Sequence, residues 1–230
     1  MRLATVKNGA PDGQLVVVSP DGSACAKAPV ATLQTALENW QAVAPQLAAI
    51  SAFDQPLEQV AAPLPRAWQW LDGSVFASHG TLMDKMLGID KPPVDFPLMY
   101  QGVSDKFYGP TDDVVMAGEE YGIDFEGEFG VITGKVPMSC TAPAALRHIR
   151  LLVQINDWSL RAIAPVEMKT GFGWIQAKRV FRCPVQHDRI SNGTSISDDR
   201  VLLKGDDFLA PRCLDEVLRR DARVRRHQAR

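Results

Sequence analysis

Residues 119–135, EEYGIDFEGEFGVITGK, alternate acidic and apolar side chains in a pattern typical of a β-strand. Neighbouring side chains of a strand point to opposite faces, so Asp124, Glu126 and Glu128 share one face. The apolar side chains on the opposite face are Ile123, Phe125 and Phe129. A half-buried strand with one solvated face explains this alternation. Like charges along one face repel each other unless a cation lies between them. A strand that binds a cation is therefore the alternative interpretation of this segment.

Length and composition indicate an ordinary globular protein. The 230 residues suffice for one large or two small domains, and 46% hydrophobic and 23% charged residues are typical values. The net charge of −2 gives no reason to expect nucleic acid or an anionic membrane as a partner. The N-terminus lacks the apolar core of a signal peptide, and no long apolar run occurs. We therefore expect a cytoplasmic protein without a membrane partner.

The cysteines argue against a thiolate metal site. Cys25, Cys140, Cys183 and Cys213 lie far apart and form no CxxC pair. Disulfides are unlikely to persist in a reducing compartment, and this spacing does not support a zinc site. Any metal bound by this chain is therefore expected to have oxygen ligands.

The first 66 residues predict a small α/β domain. The strand-forming segments LATV and QLVVVS flank the turn-forming segment KNGAPDG. A helical stretch, TLQTALENWQAVAPQLAAIS, begins near Thr32 and has apolar residues at helical spacing. The proline-rich connector AAPLPRAW, residues 61–68, predicts the boundary of a second domain. We expect the first domain to orient or dimerise the second.

Several polar residues that could take part in catalysis or ligand binding are scattered through the second domain. Asp72 lies in a turn-forming DG pair, and His79 follows seven residues later at the head of a predicted helix. Asp157 ends a mostly apolar strand, where a carboxylate is costly to desolvate and usually has a partner. Arg161 and Lys178 follow in the sequence, and either could supply the positively charged partner of this carboxylate. A lone histidine is more often a packed or surface residue than a catalyst, so the interpretation of His79 depends on its neighbours.

The C-terminal residues 179–230 differ from the rest of the chain. They contain 11 of the 16 arginines and lack a pattern of alternating strands. A nucleic-acid-binding arm is disfavoured, because no aromatic residues are interleaved and no basic face occurs elsewhere. A loosely structured tail is the better interpretation.

Taken in order, these segments resemble the fumarylacetoacetate hydrolase family, especially its bacterial members with a short N-terminal domain. The resemblance covers residues 1–178 and is carried by QLVVVS, DGSVFASH, PLMYQGVSDKFYGP, IDFEGEFGVITG followed by VPM, NDWSLR and GFGWIQAK. It implies an α+β fold, in which a small N-terminal α/β domain (1–66) precedes a catalytic domain built on a mixed, barrel-like β-sheet (67–178). It also implies a homodimer.

The resemblance further implies a metal-dependent hydrolase that cleaves a carbon–carbon bond in a β-diketone, such as fumarylacetoacetate or another acylpyruvate from aromatic compound catabolism. His79 would be the general base, while Arg161 and Lys178 would stabilise the oxyanion and the leaving enolate. The ion would be Mg²⁺, Mn²⁺ or Ca²⁺, since all of these accept oxygen ligands. The implied metal ligands are Asp72, Glu126, Glu128 and Asp157.

Two alternatives stay open. The same scaffold could hydrate a 2-oxo-4-enoate or decarboxylate oxaloacetate, because a metal ion can hold an enolate in each reaction. The chain could also be a metal-binding or oligomerising remnant without catalysis, since the resemblance ends abruptly at Lys178. Family members continue with a proline, further strands and a Gly-Thr segment, whereas Arg179 follows here. We interpret 179–230 as a divergent tail, either disordered or produced by a reading-frame shift; exposed apolar surface would then be expected.

Overall fold

The computed structural model describes residues 1–88, 97–116, 118–171 and 173–178. The predicted tail, 179–230, lies outside the described residues. In the described part, helices are combined with three antiparallel sheets, so the α+β class is confirmed. No helix there is both long and apolar enough to traverse a lipid bilayer.

The N-terminal sheet contains four antiparallel strands in sequential order, and its first hairpin is the predicted strand–turn–strand unit. The strands are β1 (Arg2–Val6), β2 (Gln14–Val18), β3 (Ala24–Lys27) and β4 (Gln55–Pro56). Gly13 closes the hairpin with a φ of +58°, and a Cβ atom there would lie 2.6 Å from the carbonyl oxygen of Val6. The turn therefore requires glycine at this position.

Two helices cover one face of this sheet, where the sequence predicted one helical stretch. They are α1 (Leu33–Glu38) and α2 (Trp40–Ala48). The side chain of Thr32 caps α1 by accepting a hydrogen bond from the Thr35 amide at 3.1 Å. Asn39 has a φ of −120°, outside the helical range, and this residue separates the two helices. The core between helices and sheet is formed by Leu15, Val17, Ala28, Leu33, Ala36, Val43 and Leu47.

The second half of the described chain is built on a small sheet and a long β-ribbon. The small sheet pairs β5 (Leu71–Ser74) with β6 (Leu98–Gln101), and the ribbon pairs β7 (Ile123–Thr133) with β8 (Ile149–Leu160). The predicted helix after β5 is α3 (Ala77–Leu87). Single 3-10 turns lie at Glu119–Tyr121 and Leu146–His148. The remaining helices are α4 (Ala142–Ala145), α5 (Ala164–Thr170) and α6 (Ile175–Lys178).

The predicted alternation of acidic and apolar side chains along β7 is confirmed. The burial of the two faces, however, differs from that of a strand with a buried apolar face and a solvated acidic face. Phe125 and Phe129 on the apolar face are 41% and 54% exposed, whereas Glu126 and Glu128 are half-buried. The reason is that Asp72 of β5 and Lys178 of α6 approach the acidic face. The acidic face is therefore a partly enclosed surface with its own counter-charges, and the apolar face lines an open cleft.

Candidate metal centre

Three strands bring three carboxylates together. One oxygen each of Asp72, Glu128 and Asp157 lie within 4.8 Å of one another, and all three side chains are half-buried. Asp72 comes from β5, Glu128 from β7 and Asp157 from β8. Asp157 lies opposite Glu126 in the ribbon, so its diagonal neighbour on the same face is Glu128. We call these three residues the acidic cluster. Its donor set consists of hard oxygens, which fits Mg²⁺, Mn²⁺ or Ca²⁺.

Two basic side chains lie beside the acidic cluster. The Lys178 ammonium group forms an ion pair with Asp157 and lies 3.8 Å from Oε2 of Glu126. Arg161 forms an ion pair with Glu126 and also donates a hydrogen bond from Nε to Asp124 at 2.9 Å. The Lys178 side chain is only 11% exposed, so its charge acts in a partly desolvated region. The fold thus supplies two positive charges that offset part of the negative charge of the carboxylates.

Glu126, the fourth ligand implied by the resemblance, is held differently from the other three. Its carboxylate is paired with Arg161, and a side-chain hydrogen bond joins it to Glu128. Although burial opposes ionisation, the charges of Lys178 and Arg161 lower the pKa of Glu126. Glu126 is therefore an ionised neighbour of the acidic cluster.

Glu128 has the opposite electrostatic environment. Burial, followed by the negative charges of Asp72 and Asp157, raises the pKa of the Glu128 carboxyl to about 8. Burial also raises the pKa of Asp157, although the charge of Lys178 opposes this effect. A proton on Glu128 relieves the repulsion in the metal-free cluster, and a divalent cation would relieve it as well.

The pKa of Glu128 leads to a prediction for stability without metal. Between pH 4.5 and about 8 the native Glu128 keeps a proton that the unfolded residue has lost. The contribution of this group to the free energy of unfolding should therefore fall as the pH rises through that window. In urea unfolding with EDTA, we expect the wild type to lose stability relative to the non-titrating variant Glu128→Gln as the pH rises from 4.5 to about 8. A difference independent of pH would contradict the assignment.

Tyr100 lies beside the acidic cluster, on the side of the small sheet. The sequence alone did not indicate that it would be part of the site. It lies directly opposite Asp72 in the β5–β6 register, and a side-chain hydrogen bond joins the two. Burial, together with the charges of Asp157 and Asp72, raises the pKa of Tyr100, so its phenol stays protonated and donates. Its ring stacks on Trp174 with the ring centroids 5.5 Å apart. The stretch PLMYQG carries an aromatic residue, but only the register of two distant strands places it beside Asp72.

His79 lies in the first turn of α3, just beyond the strand that carries Asp72. Its side chain is half-buried. Within the described part of the chain, His79 forms no hydrogen bond or ion pair with the acidic cluster. The structure therefore brings together Asp72, Glu128, Asp157, Glu126, Arg161 and Lys178, while the role of His79 as a base stays a prediction.

A cleft reaches this region at Asp157 and Lys178. Its volume is about 2030 Å³, and its walls include Asp157 and Lys178, the exposed Phe125 of β7, and Trp70 and Phe107. The rings of Trp70 and Phe107 pack with their centroids 4.9 Å apart. Small-molecule sites usually occupy about 300–1,000 Å³, so the cleft has ample room for a small substrate beside Asp157 and Lys178.

Two family models match the chain. Residues 1–66 match a family model described as fumarylacetoacetase N-terminal domain 2. Residues 69–185 match the model described as fumarylacetoacetate (FAA) hydrolase C-terminal. No curated protein matched the chain.

Two solved structures from mycobacteria are similar to the chain. One, provisionally named an HpcE protein, comes from Mycobacterium smegmatis and has a TM-score of 0.58 and 20% identity; the match covers 77% of this chain and 61% of that one. The other, an uncharacterised protein from Mycobacterium abscessus, has a TM-score of 0.41 and 17% identity, and the match covers 77% of this chain and 62% of that one. This chain thus spans less than two thirds of either protein. The two family matches account for nearly all residues from 1 to 185, and the chain belongs to the fumarylacetoacetate hydrolase family.

Proposed function

We propose that this chain binds one divalent metal ion at the acidic cluster and hydrolyses a carbon–carbon bond in a β-dicarbonyl compound such as an acylpyruvate. The observation that carries the proposal is the convergence of Asp72, Glu128 and Asp157, whose oxygens lie within 4.8 Å of one another. Family membership supports an enzyme of the hydrolase, hydratase or decarboxylase kind. The ionised Glu126 is the proposed fourth ligand, because its hydrogen bond to Glu128 keeps it next to the acidic cluster. Homodimerisation stays a prediction.

Each residue around the acidic cluster has a proposed task. A divalent ion, when bound, would polarise the oxygens of the dicarbonyl. His79 would take a proton from the attacking water, since a neutral imidazole nitrogen can act as a general base. Lys178 and Arg161 would stabilise negative charge on the attacked carbonyl oxygen and on the leaving group. Tyr100 would hold Asp72 in a fixed orientation, since partners of metal ligands set ligand geometry.

The proposed reaction is balanced by water alone. The water oxygen bonds to the carbonyl carbon, and the bond from that carbon to the neighbouring methylene carbon breaks. The electron pair of the broken bond leaves as an enolate, which Lys178 would stabilise. Protonation of the enolate gives a ketone, and the attacked carbonyl becomes a carboxylate. No redox cofactor is required for this reaction.

We expect the purified chain to hydrolyse an acylpyruvate in the presence of Mg²⁺ or Mn²⁺ and to stop when EDTA removes the ion. Loss of the enol absorbance of the substrate measures the rate, and parallel assays use a 2-oxo-4-enoate and oxaloacetate. Activity on only one of these two compounds would favour the hydratase or decarboxylase alternative. Metal binding without turnover of any of the three would identify a non-catalytic remnant. Hydrolysis that persists unchanged in EDTA would contradict the metal-dependent mechanism.

A further inference from the structure

Glu167 is a buried carboxylate that the proposed reaction does not use. It belongs to α5 and is 8% exposed. Its Oε1 accepts a hydrogen bond from the backbone amide of Gln176 at 3.0 Å, and its Oε2 accepts one from the amide of Ala177 at 2.8 Å. A buried carboxyl group is costly unless its oxygens are satisfied, so these two bonds explain why Glu167 is tolerated there.

The two amides belong to α6, whose described part is Ile175–Lys178. This described part is a single turn, in which the Lys178 amide bonds to the carbonyl of Trp174 at 2.9 Å. A helix of a single turn has little stability of its own, because nucleation fixes several residues for one hydrogen bond. The position of α6 must therefore be set by contacts outside it. Both oxygens of Glu167 provide such contacts at the amides just before Lys178.

Lys178 itself needs accurate placement. Its ammonium group pairs with Asp157 and lies 3.8 Å from Glu126, and its side chain is 11% exposed. It also lies 5.9 Å from the ring centroid of Trp174. The preceding Ala177 is 1% exposed, so the backbone at this point is anchored in the interior. A shift of α6 by the length of one bond would break the contacts of Lys178 with both carboxylates.

We propose that Glu167 is a positioning residue that fixes α6 and thereby holds the Lys178 ammonium group at the acidic cluster. The inference rests on the proposed function only for the catalytic role of Lys178. The placement of Lys178 can be measured without turnover and without metal, so failure of the inference and failure of the proposed function are distinguishable.

The test measures the reactivity of individual lysines in the full chain. Brief treatment with acetic anhydride, followed by mass spectrometry of peptides, reports how accessible each ammonium group is. In the wild type, Lys178 should be protected, while the exposed Lys135 should react freely. We expect Glu167→Ala, which loses both hydrogen bonds, to increase labelling of Lys178 at least about fivefold, the effect of losing one net hydrogen bond. Glu167→Gln, which can still accept one amide hydrogen bond, should give a smaller increase.

Internal references separate positioning from general loosening. Lys7, whose partner is Asp112, and Lys135 should keep their wild-type reactivity in both variants. Glu119→Ala, which removes an exposed glutamate, should leave Lys178 protected. If Glu167→Ala fails to fold by circular dichroism, the Glu167→Gln variant decides. Unchanged labelling of Lys178 in the folded variants, or an equal increase at all lysines, would overturn the proposal.

Discussion

Replacing Glu128 by glutamine is expected to remove metal binding and turnover together. The side chain keeps its size, and it loses the charge that the metal requires. Loss of an outer partner of a metal ligand typically costs about 10–100-fold in affinity, so loss of a direct ligand should cost at least 100-fold. Titration calorimetry with Mn²⁺ measures the affinity. Because the variant mimics the protonated form of Glu128 that the metal-free protein contains, its fold should survive.

Asp124 provides the matched control for Glu128. It lies on the same strand and the same face, but its side chain is 52% exposed and bonds to Arg161, outside the acidic cluster. Asp124→Asn should therefore bind Mn²⁺ within about twofold of the wild type, as expected for loss of an exposed ion pair. Wild-type affinity in Glu128→Gln would remove Glu128 from the ligand set.

Replacing His79 by alanine is expected to separate binding from catalysis. The residue lies on α3, outside the acidic cluster, so Mn²⁺ affinity should be unchanged. If His79 is the general base, hydrolysis of the acylpyruvate should fall about 100-fold to 10,000-fold. The measurement is the turnover number at saturating substrate and metal.

His148→Ala serves as the control for that experiment. His148 lies in the 3-10 turn before β8 and takes no part in the acidic cluster. Its replacement should leave turnover unchanged. Full activity in the His79→Ala variant would show that another group takes the proton from water.

The N-terminal hairpin was predictable because its signals are local. The turn-forming segment before Gln14 and the flanking apolar runs suffice to specify β1 and β2, and the structure confirms both. The division of the predicted helical stretch into α1 and α2 was missed, because it depends on the backbone conformation of the single residue Asn39. Propensity and periodicity do not report such a break.

The solvation of the acidic face of β7 could not be predicted from the sequence. The alternation predicted the strand, but whether the acidic face is solvated depends on Asp72 and Lys178, which lie far away in the chain. The pairing of Glu126 with Arg161 and the approach of Tyr100 to Asp72 likewise depend on how separate strands are arranged. The resemblance to a known family named the four acidic residues, yet their roles as ligands stay a prediction.

The proposed metal centre is tested most directly by calorimetric titration of the metal-free wild-type chain with Mn²⁺. The titration is run near pH 7 in buffers of different ionisation enthalpy. We expect one ion per chain and release of about one proton on binding, because metal coordination requires a deprotonated Glu128 whose pKa is about 8 in the free protein. The buffer dependence of the heat gives the number of protons. Absence of Mn²⁺ binding, or binding that Glu128→Gln leaves unaltered, would contradict a metal centre at Asp72, Glu128 and Asp157.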